Sequence, residues 1–391
     1  IQKEALESNY VSSHIQNWID LVFGYKQKGK ASVDANNTFH PYSYSSCITK
    51  SVLKDPTLLN QCQQFAMNFG ITPQQIFINP HPKKLTLSTF KIPTFNPVLV
   101  TKVTSQPIFM KYDSNCLIII MSNGHLLVKS KNETNEYDLM RYIGTNDNLD
   151  EKTFTYAEGI LIAASYLDSS FHIFQVDDNS LKLLSTIYQN SLNVSISNPF
   201  YEHVIAATRD STIVKYVLSS STSTIYRISP HTAPIITIAS NYILNLLVSC
   251  DKSRMVVLSN LKHGTFIQSF LVSSPIIKIQ LTNDPCILVA HEGQKDKSVY
   301  ISSYGINCNF ISQIEINSSS FAWCVIRVNQ TTSLLAISDQ NKKLKFFSLP
   351  SLKLINEFNV GISINSLTYS QKNQTLYYSS DDSKVYSINF H

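Results

Sequence analysis

The sequence predicts a mainly β protein, a seven-bladed propeller preceded by a short helical segment. Two observations carry the propeller. Beyond about residue 100, β-rich runs of roughly five to eight residues alternate with Ser, Asn and Asp turns, and helical periodicity disappears. One turn then recurs: Leu167-Asp168-Ser169-Ser170, Arg209-Asp210-Ser211-Thr212 and Asp251-Lys252-Ser253-Arg254, with Asp339 and Asp381-Asp382-Ser383-Lys384 as later copies. The copies return roughly every 41 to 47 residues, the period of a four-stranded blade. A third observation marks the boundary, because before residue 83 apolar residues follow the helical period instead.

In the helical part, Val11, Ile15, Trp18, Ile19, Val22 and Phe23 fall on one face. A second helix should start with Asp55 as N-cap and Pro56 at the first helical position, and should end at Gly70. Its stripe is Leu58, Leu59, Cys62, Phe65, Ala66 and Phe69. The chain then turns extended through Pro73, Pro80 and Pro82. These readings divide the chain into 1–82, a linker over 83–96, and a propeller over 97–391.

Each blade should have an apolar strand before the turn, such as Val204–Thr208, and another after it, such as Ile213–Leu218. A more exposed strand follows in several copies, as at Leu181–Ile187. One such sheet cannot bury both faces, so the copies stack radially and hide their faces on each other. Counting from the Asn123-Gly124 turn gives seven, although blade one and the turn at 291–297 are poorly patterned. No residues remain after Val385–Ile388 for a fourth strand. A segment within 97–104 should therefore complete the last blade, since an open ring leaves an unpaired edge.

Composition narrows the function. The 391 residues are 43% hydrophobic and 15% charged, with a net charge of +5 spread along the chain. That predicts a folded core and no nucleic-acid footprint. The seven cysteines form no CxxC pair, which reads as reduced thiols in a cytosolic protein. No G-x-S-x-G elbow, P-loop or G-x-G-x-x-G occurs, so catalysis on those devices is excluded. The histidines are dispersed and suit blade-bracing or solvent-facing roles better than metal ligation. Asp34–Phe39 has a calcium-loop beginning, yet Phe39 stands where glycine is needed and no Glu follows at the twelfth place. Cofactors and small-molecule substrates are accordingly not expected.

Residues 203–217, HVIAATRDSTIVKYV, resemble a WD repeat, with Thr208 at the strand Ser/Thr position, Asp210 at the turn Asp and Tyr216 at the Trp position. His231 stands at the histidine position before the next blade, with Pro230 in place of glycine, and no blade carries a literal Trp-Asp pair. The resemblance implies a blade-bracing role for Asp168, Thr208, Asp210, Tyr216, His231 and Asp382. Residues 5–44 closely resemble the end of a BEACH domain. Its W-I-D-L-x-F-G-x-K-Q-x-G run is met by Trp18, Ile19, Asp20, Phe23, Gly24, Lys26, Gln27 and Gly29, and its F-H-P by Phe39, His40 and Pro41. Ser32 replaces the second alanine of the motif. The F-G-x-T-P-x-Q-x-F and H-P elements follow at Phe69–Phe77 and His81-Pro82.

This similarity to the BEACH–WD-repeat family implies a non-enzymatic, cytoplasmic scaffold of vesicle, endolysosomal or autophagic traffic, peripherally associated with endomembranes. It implies that only the last part of a BEACH domain is present, as in a fragment or an incomplete gene model. The propeller would dock other proteins through its end faces, with Arg209, Leu167, Asp251 and Asp381 as candidate contacts beside the turns. Lys26, Lys28 and Lys30 form a small basic cluster that reads first as a solvated loop. Two other readings are a substrate-recognition or coat-complex subunit and, less favoured, a propeller enzyme with polar groups converging on the central channel.

Overall fold

The computed structural model describes residues 2–6, 8–45, 50–83, 96–113, 115–130, 133–143, 149–165, 168–177, 179–200, 203–218, 223–293, 298–318, 321–328 and 333–390. It divides into two compact units, Ile1–Lys91 and Ile92–His391.

In the N-terminal unit the described helices are α1 (Gln2–Leu6), α2 (Asn9–Val22), α3 (Gly29–Asp34), α4 (Lys50–Lys54) and α5 (Pro56–Phe69). The α2 helix starts where Ser8 accepts from the Val11 amide at 3.3 Å. Asp55 caps α5 by accepting from the Thr57 and Leu58 amides at 2.9 and 3.3 Å, Pro56 follows at N1, and Gly70 ends it at φ +81°. Cys62 is the one buried side chain of α5, and Phe65 lies half-buried against His40 and Phe69. Much of the apolar surface is left open. Trp18 is 56% exposed, Phe69 75% and Ile78 83%.

The second unit is a ring of seven four-stranded antiparallel sheets. Blade 1 contains Pro107–Asp113, Cys116–Met121, His125–Lys129 and Thr134–Asp138. Blade 2 runs Phe154–Ala157, Ile160–Ala164, Ser170–Asp177 and Ser180–Tyr188. Blade 3 follows with Asn193–Phe200, His203–Thr208, Ile213–Val217 and Ser223–Ile228. Blade 4 is Ile235–Asn241, Leu246–Asp251, Met255–Asn260 and Phe266–Leu271. Blade 5 is Ile276–Leu281, Cys286–Glu292, Val299–Gly305 and Phe310–Ile316. Blade 6 takes Ala322–Arg327, Ser333–Ser338, Lys343–Ser348 and Leu354–Asn359. Blade 7 has Ile364–Ser370, Thr375–Ser380 and Lys384–Asn389 from the chain's end.

The fourth strand of blade 7 is Val98–Lys102, within the stretch expected to close the ring, and it pairs antiparallel with Lys384–Asn389. First strands of neighbouring blades pack on one another, which places them at the axis. Outer strands are the most exposed, as in Phe266–Leu271. The apolar clusters are shared between neighbours rather than enclosed within a blade. Ile162, Ala164 and Phe171 of blade 2 meet Val204, Ala206 and Val214 of blade 3, and Val248 and Val256 of blade 4 meet Ile279 and Val289 of blade 5. Blade stacking is thus where the apolar burial accumulates.

Blade 1, faint in the sequence, turns between its second and third strands at Gly124. Gly124 sits at φ +76°, which favours glycine, and a Cβ there would have to displace the Met140 side chain. Elsewhere Ser169, Ser211 and Ser383 take the left-handed conformation at the same turn.

Candidate docking face

Strand order sets the geometry of the ring's ends. The loops that enter each blade and the turns between its second and third strands lie at one end, because alternate strands run in opposite directions. The recurrent turn aspartates therefore share one face, and each is built into its turn differently.

In blade 3, Asp210 accepts from the Thr208 hydroxyl and, at 3.3 Å, from the Thr212 amide. The Thr208 hydroxyl bond, with those from Thr212, holds the Asp210 carboxyl below the usual range. Tyr216 is buried and packs edge-on to Phe171 of blade 2, with ring centres 5.5 Å apart. In blade 2, Asp168 accepts from the Ser170 amide at 3.1 Å and from its hydroxyl at 2.6 Å. In blade 7, Asp382 accepts from Ser380, from Tyr386 Oη at 2.8 Å and from Lys384 Nζ at 2.9 Å. Desolvation opposes ionisation there, yet these donors bring the Asp382 carboxyl down to about 2. Asp339 of blade 6 takes Lys345 Nζ at 2.9 Å instead.

Blade 4 departs from the expectation for Asp251. That residue was expected among the accessible contacts, but it is 1% exposed. His231, from the loop entering the blade, reaches it with Nδ1 at 2.9 Å and meets Ser249 Oγ through Nε2 at 2.8 Å. Asp251 also accepts from the Ser253 amide and hydroxyl and from the Met255 amide. A carboxylate so enclosed braces the blade and has no face left for a partner. Arg209 and Asp381 are exposed as expected. The Arg209 guanidinium makes no ion pair among the described residues, while its backbone N–H donates to Leu192. Leu167 lies outside the described residues.

Two further buried histidines were not assigned to the turns by the sequence. His291 in blade 5 lies 2.6 Å from Ser274 Oγ and 2.8 Å from Ser302 Oγ. His172 in blade 2 lies 2.9 Å from Thr186 Oγ1 and 3.0 Å from the Tyr142 carbonyl. Burial lowers the pKa of both, the backbone acceptors of each opposing it only in part. The unfolded chain therefore takes up protons that the folded one resists, and their contribution to stability is full above the ordinary histidine pKa and is lost as pH falls. The melting temperature should drop by on the order of 5 °C between about pH 7.5 and 5.5. His291→Gln should lower it at the higher pH and shrink that drop; an unchanged drop in calorimetry would remove His291 from the effect.

No catalytic arrangement emerges among the described residues. No three His, Cys, Asp or Glu side chains gather to hold a metal, and burial pushes the Cys250, Cys286 and Cys324 thiols up to about 12, leaving them poorly nucleophilic. No described helix is long and apolar enough to cross a membrane.

The motif residues of the N-terminal unit hold its own fold together. Asp20 is buried and accepts from the His81 amide at 2.9 Å. Gln27 donates to the Val22 and Pro73 carbonyls at 2.6 and 2.5 Å, and the Ile76 and Phe77 amides donate to the Phe23 carbonyl. Gly24 lets the chain fold back closely on the end of α2, since a Cβ would lie 2.5 Å from Asp20 Cα. His40 stacks on Phe65 at 4.6 Å, Pro41 opens a short 3-10 turn, and Trp18 meets Phe23 edge-on at 5.8 Å. Ile19 is half-buried, Phe39 is exposed, Lys26 lies over the Tyr25 ring, and Gly29 takes φ +68°.

The family model for the Beige/BEACH domain matches residues 1–84. The N-terminal segment is BEACH-family sequence. Over 86 residues it is 49% identical to the mouse WD repeat- and FYVE domain-containing protein 4, covering 22% of this chain and 3% of that protein. It is 45% identical over 85 residues to the BEACH domain-containing protein lvsD of Dictyostelium discoideum, again 22% of this chain and 3% of that one. BEACH domain-containing protein B of Arabidopsis thaliana aligns with 99% of the chain at 24% identity, over 17% of its own length. The chain thus spans a small part of these BEACH relatives. The propeller that follows the BEACH segment in the sequence has the WD-repeat fold. The WD40 domain of Toxoplasma gondii coronin matches with a TM-score of 0.55 at 9% identity, over 76% of this chain and 87% of that one. Saccharomyces cerevisiae Sqt1 gives 0.52 at 12% identity, over 74% and 84%.

Proposed function

We propose that this BEACH–WD-repeat chain is a non-enzymatic scaffold of membrane traffic, cytoplasmic and peripheral to endomembranes, whose propeller docks partner proteins on the face that carries the turn aspartates. The observation behind this reading is the joining of a BEACH segment to a WD-repeat ring whose recurrent carboxylates are spent on bracing turns. Propellers of this kind serve widely as protein-interaction platforms. Arg209 is the first candidate contact, being exposed and without an ion-pair partner among the described residues. Interface energy concentrates in few side chains, arginine prominent among them.

Arg209→Glu should leave the melting temperature within about 2 °C, because it alters an exposed side chain and no internal pair. Capture of partners from cell extract should fall several-fold. Unaltered capture would take Arg209 out of the docking face, and reproducible turnover of an ester, phosphate or nucleotide by the purified chain would overturn the scaffold reading.

A further inference from the structure

A cavity of about 790 Å³ opens along the propeller axis. First strands of blades 5, 6, 7 and 1 line it, together with Leu149, Asp150 and Glu151 from the connection leading into blade 2. Glu151 Oε1 lies 2.7 Å from Lys278 Nζ of blade 5, three blades away round the ring, so this ion pair bridges the channel. The same ammonium sits 5.7 Å from the centre of the Trp323 ring of blade 6.

Among the described residues, two donors that line this cavity lack an acceptor. Trp323 is 4% exposed, and its indole N–H has no hydrogen-bond partner among the described residues. Lys111, on the first strand of blade 1, lines the same cavity, and its ammonium makes no hydrogen bond or ion pair among the described residues. The acids are otherwise engaged: Asp150 accepts from the Lys152 amide at 3.1 Å and lies 3.7 Å from its Nζ. A buried donor without a partner calls for an explanation, and an incoming acceptor supplies one.

We infer that the axial cavity is a binding site for an acidic peptide segment of a partner protein, and that Glu151 occupies its cationic wall in cis as a competing carboxylate. The inference concerns the axial cavity and does not depend on Arg209. Carboxylates on ammonium and indole N–H groups form charge-assisted hydrogen bonds. Lys278 and Trp323 stand near the start of their strands, whereas Lys111 is the fifth residue of Pro107–Asp113, so the two cations lie at different depths. Spaced cations suit successive acidic side chains better than one small anion. The Glu151–Lys278 pair is partly open to solvent, and a pair so placed is weak enough to be displaced.

The chain has two tryptophans, so Trp18→Phe leaves Trp323 as the sole fluorescent indole. In that background, titration with a hexaglutamate peptide should give a saturable change in emission, and hexaglutamine should give none. Glu151→Gln should tighten binding roughly five- to tenfold, and Lys111→Gln and Lys278→Gln should each weaken it by a similar factor. Lys111→Arg should retain binding. No saturable change, equal response to hexaglutamine, or affinity indifferent to both Glu151→Gln and Lys111→Gln in variants that melt like the parent would overturn the inference. Inorganic phosphate competing as well as hexaglutamate would make this an unselective anion site and overturn the peptide assignment.

Discussion

Asp251→Ala is expected to cost the propeller about 2–4 kcal/mol, because it removes the acceptor shared by a buried histidine and its turn. The side chain accepts from His231 at 2.9 Å, from the Ser253 hydroxyl at 2.6 Å, and from the Ser253 and Met255 amides at 2.9 and 3.0 Å. Its loss would strand the buried His231 N–H away from water, at about 1–3 kcal/mol, whereas the Ser253 and Met255 donors at the turn can turn to solvent. The melting temperature should fall by roughly 10 °C. Asp251→Asn keeps an acceptor oxygen for the turn and should cost about half as much. Asp210→Ala is the comparison, because Asp210 lies two positions further into the corresponding turn of blade 3 and is exposed, and its loss should cost only about 1 kcal/mol. Urea unfolding of the three variants, with His231→Ala and the double variant completing a cycle, measures the difference. Equal costs for Asp251→Ala and Asp210→Ala would show that enclosure by His231 adds nothing.

That comparison also marks where the sequence stops being readable. Asp210 and Asp251 read as copies of one turn carboxylate, yet the pairs Asn193–Thr208 and Ile235–Asp251 put Asp251 at the Thr208 position, two residues before that of Asp210. At that position Asp251 faces His231, which enters from the preceding loop. Propeller topology was legible because its signal is local and repeated: apolar strands, an Asp turn and a return after one blade. The closing strand followed from counting strands, and Val98–Lys102 fills that place. Blade 5 was faint because His291 replaces the turn carboxylate, its partners Ser274 and Ser302 being too ordinary to notice. Lys278 and Glu151 are far apart in the chain and obey no period, so only the closed ring brings them together. The BEACH motif was legible as a string of residues but not as a mechanism. Asp20 and Gln27 hold the extended segment after α5, a role that depends on partners some fifty residues away or more.

Closure of the ring by Val98–Lys102 makes Val103 a sensitive position. Its side chain is 7% exposed and packs with Val385, Met110, Leu117 and Ile119, joining the closing strand to blades 7 and 1. Its amide donates to the Ser383 carbonyl at 3.0 Å, the last bond before the chain leaves the sheet. A carboxylate placed there would meet apolar groups and no cation among these neighbours, so Val103→Asp should cost about 3–5 kcal/mol or detach the strand altogether. Detachment would bare the backbone edge of Lys384–Asn389, and unpaired edges invite association between chains. Hydrogen exchange should therefore speed first in Val98–Lys102 and Lys384–Asn389, with blades 3 and 4 protected until global unfolding. The control is Val98→Asp, at the exposed start of the same strand, which should stay within about 0.5 kcal/mol of the parent. If aspartate were tolerated equally at both positions, blade 7 would not need its closing strand, and the stability of the ring would have to come from stacking between blades alone.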